Sequence, residues 1–313
     1  MTLRWEPTPR VDWCHLGKHR FTDPFFEETI ARCFSDPFNL LFRHETPLER
    51  LVDLYEAKPG LTPSGFIFHV SRCGSTLISR LLATLPQNVV LSEAGPLDAV
   101  LRAGDYLPAL SHDAQADYVR AMIGALGQQR RPEERHLIVK FDAWNIHDLP
   151  LLRRAFPDVP WIFVFRDPVE VLVSHQRVTG AHMIPGVLPP AVMGLTPNDL
   201  SRVLPDEYAA RVLGKVCEAG VRYVTEFGGR AVDYKQLPDA VWSWLPDHFG
   251  ITCTENDRKR MREAGKYHAK SPAEVFQADT VGKKQAATER IRALAQQWAT
   301  PWYERLLTLT SPK

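Results

Sequence analysis

The feature that most constrains the fold is a series of short apolar runs, most of them followed by a segment with helical spacing. The apolar runs lie at residues 66–70, 88–91, 136–141, 160–165 and 230–234. The helical patterns lie at residues 76–85, 96–101, 149–156, 168–177, 208–227 and 288–308. Strands that alternate with helices imply a parallel sheet covered by helices on both faces. We therefore predict a three-layer α/β fold that binds its ligands at the carboxyl ends of the strands.

Charge and cysteine content narrow the function classes. The 38 Lys+Arg and 37 Asp+Glu residues leave a formal net charge of +1, so no overall basic field would attract nucleic acid or an anionic membrane. The five cysteines are odd in number and widely spread, which predicts neither a disulfide framework nor a zinc site. The longest apolar run is far shorter than a membrane span. We predict a cytoplasmic protein without a metal, in which any bound anion meets a local cluster of donors.

The sequence divides into a main domain and two appended segments. Prolines interrupt apolar pairs near the N-terminus, which predicts an arm of short helices over residues 1–63, packed on a main domain of residues 64–313. Within the main domain, residues 180–207 are rich in Gly and Pro and show little periodicity. That composition predicts a lid rather than a core element.

The loop after the first apolar run has the features of a phosphate cradle. Gly74 lets the backbone approach an anion, the following amides open a helix, and Arg72 adds a cation. No Lys follows the glycine, so the loop is not a Walker A motif. A strand followed by an ordinary Ser/Thr helix cap fits the same residues. The candidate phosphate-binding residues are Ser71, Arg72, Cys73, Gly74, Ser75 and Thr76.

A second motif follows the strongest predicted strand, residues 160–165. This run delivers Arg166, Asp167 and Pro168 to the carboxyl end of the strand, and Ser174 follows eight residues after Arg166. A buried guanidinium needs a partner, because an unpaired one is costly. The partner is either an anionic ligand or a nearby acid such as Asp167.

Together the two motifs resemble the sulfotransferases that use 3′-phosphoadenosine 5′-phosphosulfate. Residues 72–76 resemble the family's 5′-phosphosulfate loop, and residues 166–174 resemble its 3′-phosphate motif, with Arg166 and Ser174 as the binding residues. Lys140 resembles the lysine of a family strand, and Tyr234 lies in a segment like the one beside the adenine. The resemblance covers roughly residues 64–250 and implies a P-loop NTPase-like fold with this nucleotide as sulfuryl donor.

The resemblance also points to a catalytic base. Cytosolic members of the family carry a His two residues after the strand lysine, where this chain has Asp142. Glu93 ends the run 88–91, where carbohydrate-modifying members carry a catalytic glutamate, so we expect Glu93 to be the base and keep Asp142 as the alternative. A helix N-terminal acid is the other interpretation of Glu93. Weaker alternatives are His147, His175 and His182.

The expected reaction is sulfuryl transfer from this donor to a hydroxyl or amine of a small-molecule or carbohydrate acceptor. Arg72 and the loop amides would neutralise the leaving 5′-phosphate without a metal, so the expected catalytic residues are Glu93, Arg72, Asp142 and Lys140. The acceptor and the oligomeric state cannot be deduced. For the family's closing basic loop the chain offers only Lys266, Lys270, Gly282, Lys283 and Lys284.

Two other functions remain open at this stage. An ATP- or GTP-dependent phosphotransferase would need a magnesium carboxylate at a strand end, and both Asp142 and Asp167 are placed to imitate one. A nucleotide-binding protein without catalytic activity would explain the absent family histidine.

Overall fold

A computed structural model describes residues 2–5, 8–200, 203–267 and 280–310. The strands are β1 (Thr2–Arg4), β2 (Arg10–Trp13), β3 (His44–Pro47), β4 (Pro63–His69), β5 (Asn88–Ser92), β6 (His136–Lys140), β7 (Trp161–Phe165) and β8 (Arg230–Asp233). The helices up to residue 126 are α1 (Phe26–Phe34), α2 (Pro37–Leu41), α3 (Arg50–Ala57), α4 (Ser75–Ala83), α5 (Gly95–Leu101), α6 (Ala103–Tyr106) and α7 (His112–Leu126). The later helices are α8 (Leu149–Ala155), α9 (Pro168–Arg177), α10 (Pro205–Phe227), α11 (Asp239–Trp242), α12 (Leu245–His248), α13 (Glu255–Ala264), α14 (Thr280–Ala286), α15 (Glu289–Trp298) and α16 (Thr300–Thr308). Single 3₁₀ turns lie at Ala143–Asp148, Ala181–Met183, Pro190–Met193, Pro197–Leu200 and Tyr234–Gln236.

The predicted parallel sheet is confirmed. Five strands lie in the order β5-β6-β4-β7-β8, and every neighbouring pair is parallel. All residues of β7 are buried, as expected for a central strand covered by helices on both faces. The register pairs Ser92 and Ile67 with Lys140, so β4, β5 and β6 end close together. This common end is the carboxyl edge of the sheet, where the sequence analysis predicted that ligands bind.

The first sixty residues contain more strand than the sequence predicted. Besides the short helices α1 to α3, they form a three-stranded antiparallel sheet in the order β1-β2-β3. Its strands are held in part by ion pairs, Arg4 with Glu45 at 2.7 Å and Arg43 with Asp12 at 3.1 Å. Each of these strands has only three or four residues, so none contains an apolar run long enough for the search to detect.

The N-terminal arm contacts the main domain through buried backbone groups. The Arg20 guanidinium donates to the carbonyl oxygens of Leu85 and Asn88 at 3.0 and 3.1 Å. From the opposite direction, Arg130 donates to the carbonyl oxygen of His19 at 2.7 Å. These bonds fix the arm near the amino ends of β5 and β6, whereas Phe25, which precedes α1, lies beside Lys140 at the carboxyl edge of the sheet.

Two regions of the main domain differ from the sequence predictions. The single helix expected over residues 288–308 is two helices, α15 and α16, because Pro301 begins a new helix at its first turn. Residues 181–200 form three 3₁₀ turns, and Met183 and Met193 are buried among core side chains. Among the helices of the described part of the chain, none is both long and apolar enough to cross a membrane.

Candidate active site

A cavity of about 280 Å³ opens at the carboxyl edge of the sheet. The phosphate loop forms one side of it, and the segments that follow β5 and β6 form the other. We call it the first cavity. Its lining residues are Phe25, His69, Ser71, Arg72, Ser75, Thr76, Glu93, Asp142, Ala143, Trp144, Gly180, Ala181 and His182.

The backbone around the first cavity is strained. Ser71, Arg72 and Glu93 have φ values of 65°, 50° and 55°, and they are the non-glycine residues with positive φ within the described ranges. Each such conformation costs about 1–3 kcal/mol and persists only where the surroundings enforce it, most often at ligand sites. All three residues line the same cavity. The strain therefore marks this edge of the sheet as the functional one.

The loop before α4 presents donors as the sequence predicted. Gly74 caps the helix with a φ of 86°, and a Cβ there would lie 2.8 Å from Leu237 Cδ1, so only glycine fits. Ser75 and Thr76 form the first turn of α4, where amides point outward. Cys73 contributes only backbone, because its side chain is buried and its Sγ donates to the Val164 carbonyl oxygen at 3.2 Å.

Arg72 links the phosphate loop to the segment that begins the predicted lid. Its Nη2 donates to the carbonyl oxygen of Val178 at 2.6 Å, just beyond the end of α9. The side chain is half-buried and lines the first cavity. A guanidinium held this way can face an anion in the cavity.

Lys140, Glu93 and His69 form a buried network below the loop. Lys140 is fully buried, its Nζ contacts Glu93 Oε1, and it lies 3.3 Å from Ser92 Oγ and 3.5 Å from Thr76 Oγ1. His69 Nδ1 accepts the Ser71 N–H at 2.9 Å, which leaves Nε2 to face Glu93 Oε1 at 3.2 Å. Burial lowers the pKa of His69, so the imidazole is neutral.

The two carboxylates of the first cavity differ in electrostatic environment. Burial alone would raise the pKa of Glu93, but the Lys140 ammonium and the contact with His69 outweigh it and hold that pKa well below its usual range. Burial and the neighbouring Glu93 and Asp98 raise the pKa of Asp142 well above its usual range. Glu93 is thus a stabilised anion and a weak base, whereas Asp142 is the stronger proton acceptor.

A second cavity of about 180 Å³ lies on the other side of the phosphate loop. Arg166 and Glu170 line it and are both buried, with Arg166 Nε 2.8 Å and Nη2 2.5 Å from Glu170 Oε2. The guanidinium also stacks over the Tyr234 ring at 3.9 Å. The lining residues of this second cavity are Leu77, Arg166, Asp167, Glu170, Asp233, Tyr234, Lys235, Leu237, Pro238 and Gly265.

An acid that pairs with Arg166 is Glu170, one helical turn on, which is one of the nearby acids expected from the sequence. Asp167 caps α9, accepting the Val169 N–H at 2.9 Å. Ser174 lies two turns along the same helix and is half-buried. The pairing of Arg166 with Glu170 could have been predicted from the sequence, because residues four apart lie on the same face of a helix.

Of the remaining predicted residues, only one reaches the first cavity. His182 lines it, whereas His147 and His175 are outside its lining. Lys266 pairs with Glu263 at 2.7 Å, and Lys283 is buried on α14. Lys270 and the side chain of Lys284 lie outside the described residues. Sequence reasoning missed Phe25, His69 and Trp144, which belong to no motif. Of these three, only His69 could have been found from the sequence, because it ends β4 at the carboxyl edge of the sheet.

Comparison with known structures identifies the fold. Sulfotransferase STF9 from Mycobacterium avium has a TM-score of 0.50 and 13% identity, over 85% of this chain and 82% of that one. A sulfotransferase from Alicyclobacillus acidocaldarius has a TM-score of 0.46 and 15% identity, over 79% of this chain and 95% of that one. Retinol dehydratase in a complex with retinol and PAP has a TM-score of 0.38 and 12% identity, over 87% of this chain and 89% of that one.

No family model and no curated protein matches the sequence. The fold assignment rests on the Mycobacterium avium structure, since TM-scores below 0.5 do not carry one. The parallel sheet, the loop before α4 and the order of the two motifs agree with it. The chain has the P-loop NTPase-like fold of the sulfotransferases.

Proposed function

We propose that this protein is a sulfotransferase that moves a sulfuryl group from 3′-phosphoadenosine 5′-phosphosulfate to a hydroxyl or amine. The observation that carries the proposal is the pair of cavities on either side of one glycine. Ser75 and Thr76, directly after Gly74, line the first cavity, while Tyr234 and Leu237 of the second cavity contact the position a Gly74 side chain would occupy. A donor with phosphates at both ends of a nucleoside fits this division.

The residues present suit such a donor, which supplies the sulfuryl group and a phosphate leaving group. Arg72, the amides that open α4 and the Lys140 ammonium would neutralise the 5′-phosphosulfate end. Arg166 would hold the 3′-phosphate, and Tyr234 would lie beside the adenine. We place Ser71, Cys73 and Ser174 in the same nucleotide site, Cys73 through its backbone alone.

We assign the base to Asp142 rather than to Glu93, the residue favoured by sequence. The raised pKa of Asp142 makes it the better acceptor of a proton, while Glu93 is engaged by Lys140 and His69. In this proposal Glu93 holds Lys140 in place. All five cysteines are free thiols, which fits our placement of the reaction in the cytoplasm.

The test is calorimetric titration of the purified protein with three nucleotides. We expect adenosine 3′,5′-bisphosphate to bind without magnesium and at least tenfold more tightly than 5′-AMP, because a charged hydrogen bond contributes about 1.5–3 kcal/mol. ATP that binds only with magnesium would instead indicate a phosphotransferase. The Arg72→Ala variant should weaken binding of the bisphosphate, whereas Arg177→Ala, an exposed residue in the last turn of α9, should not.

A further inference from the structure

The charges around the first cavity are unevenly distributed. Arg72 and the start of α4 face it from the phosphate loop, and Lys140 lies below the loop, where its Nζ contacts Glu93. The surroundings of Asp142 are mainly acidic, because Glu93, Asp98 and Glu27 raise its pKa and only Lys140 lowers it. A single cavity therefore offers one region suited to an anion and another suited to a cation.

The donor end accounts for the cations but not for the acids. Building on the proposed function, the phosphosulfate group brings two negative charges, which Arg72 and Lys140 match. Lys140 also pairs with Glu93, so the donor, Glu93 and Asp142 together bring more negative charge than Arg72 and Lys140 supply. Burying carboxylates without enough counter-charge is costly, and a neutral acceptor would supply no positive charge. A positively charged acceptor would supply the missing charge.

The walls on the acidic side are aromatic and fixed in place. The Trp144 Nε1 donates to Asp98 Oδ1 at 2.7 Å, which holds the indole ring at the edge of the cavity. Phe25 of the N-terminal arm lines the same cavity, and its ring already has the Lys140 Nζ 5.2 Å from its centroid. Aromatic faces attract cations through their quadrupole, most strongly where water is excluded.

His182 adds a buried polar atom that a ligand could satisfy. The side chain is 6% exposed, lines the cavity and stands 5.5 Å from the Trp144 ring. Its Nε2 is buried and has no hydrogen-bond partner among the described residues. Burial lowers the pKa of His182 to about 4, so the imidazole is neutral. One of its ring nitrogens can therefore accept a hydrogen bond from an N–H group of a ligand.

We infer that the acceptor is a small primary amine, which enters the first cavity as an ammonium ion and is bound by Asp142, His182 and the rings of Trp144 and Phe25. The ammonium gives one proton to the Asp142 carboxylate. The amine nitrogen then forms a bond to sulfur as the bond from sulfur to the phosphate oxygen breaks, and the second proton leaves to solvent. The products are a sulfamate and adenosine 3′,5′-bisphosphate. A cavity of about 280 Å³ limits the acceptor to a small molecule.

The test compares two probes of the same shape, benzylamine and benzyl alcohol. Each is titrated into the protein saturated with adenosine 3′,5′-bisphosphate, and binding is followed by calorimetry. We expect the amine to bind at least tenfold more tightly than the alcohol, and the Asp142→Asn variant to lose this preference. Equal binding of the two probes, or a preference that survives in Asp142→Asn, would overturn the inference.

A matched pair of exposed residues keeps the test decisive if Asp142→Asn does not fold. Glu27 acts on Asp142, whereas its neighbour Glu28 acts on Arg80. Glu27→Gln should reduce the amine preference by about two- to fivefold, and Glu28→Gln should leave it unchanged. An unchanged preference in Glu27→Gln would also count against the inference. A protein that fails to bind the bisphosphate at all would contradict the proposed function instead.

Discussion

The two cavities on either side of Gly74 hold their charges in opposite ways. In the second cavity the Arg166 guanidinium already donates two hydrogen bonds to Glu170 Oε2 and lies over the Tyr234 ring. In the first cavity two carboxylates with unlike environments share one edge, and three residues hold positive φ. The second arrangement suits recognition, because its groups are matched before a ligand arrives. The first suits a reaction, because its groups are matched only when ligands supply charge.

The largest expected effect tests whether the two acids of the first cavity differ as their surroundings indicate. Asp142→Asn should lower kcat by about 10²- to 10⁴-fold, because it removes the proton acceptor and keeps the shape. Glu93→Gln should lower it less, since Glu93 acts by holding Lys140. Steady-state kinetics with benzylamine as the acceptor would measure both, alongside the Kd for adenosine 3′,5′-bisphosphate as a control. An inactive Glu93→Gln beside an active Asp142→Asn would restore Glu93 as the base.

The second prediction concerns the buried ion pair between Arg166 and Glu170 in the second cavity. Arg166→Ala leaves the Glu170 carboxylate buried without its guanidinium, so the free energy of unfolding should fall by about 3–5 kcal/mol. Adding Glu170→Gln should recover much of that loss, which urea unfolding of both variants would measure.

The double variant then isolates the role of Arg166 in nucleotide recognition. It should bind adenosine 3′,5′-bisphosphate no more tightly than 5′-AMP, because the charged contact to the 3′-phosphate is gone. A preference that persists in the folded double variant would remove Arg166 from the nucleotide site.

The smallest expected effect is a difference in how stability depends on pH. The folded-state pKa of Asp142 is raised above its ordinary value of 3.8, so the native state begins to release this proton at a higher pH than the unfolded chain does, and Asp142 lowers stability as pH rises above 3.8. Asp142→Asn removes this loss and should therefore be more stable than the parent protein at pH 7. The gap should close near pH 4.

Glu93 should show the opposite dependence. Its folded-state pKa lies below the ordinary value of 4.5, so its contribution to stability is present above that pH and is lost as pH falls towards the folded-state pKa. Glu93→Gln should be less stable than the parent protein at pH 7. Thermal unfolding of both variants between about pH 2 and pH 7 would check the two signs, and slopes of the same sign would contradict the assigned environments.

The sheet and the phosphate loop could be predicted because their physics is local. The five residues of β7 are all buried, so they form an uninterrupted apolar run, and Gly74 before a helical pattern marks the loop. Parallel neighbours end at the same edge, which is why Glu93 and Asp142 were both expected there and do line one cavity.

The rest of the site depends on contacts between distant segments. Phe25 and Trp144 carry no motif, and only the folded chain brings the arm and a 3₁₀ turn to the same cavity. Which of the two acids is the stronger base depends on the position of Lys140, which the sequence does not specify. The strands β1 and β2 were missed because three or four residues are too few to show a strand pattern, and only their pairing with each other and with β3 makes a sheet.

The route by which Phe25 reaches the first cavity bears on how such chains can diverge. The Phe25 ring lies 5.2 Å from Lys140 Nζ, yet it comes from the N-terminal segment, whereas the phosphate loop belongs to the sheet. Exchange of that segment by recombination would change a wall on the acceptor side and leave the loop intact. In the proposed function, a change in the N-terminal segment would therefore alter a wall of the first cavity beside Lys140 while the residues of the phosphate loop stay the same.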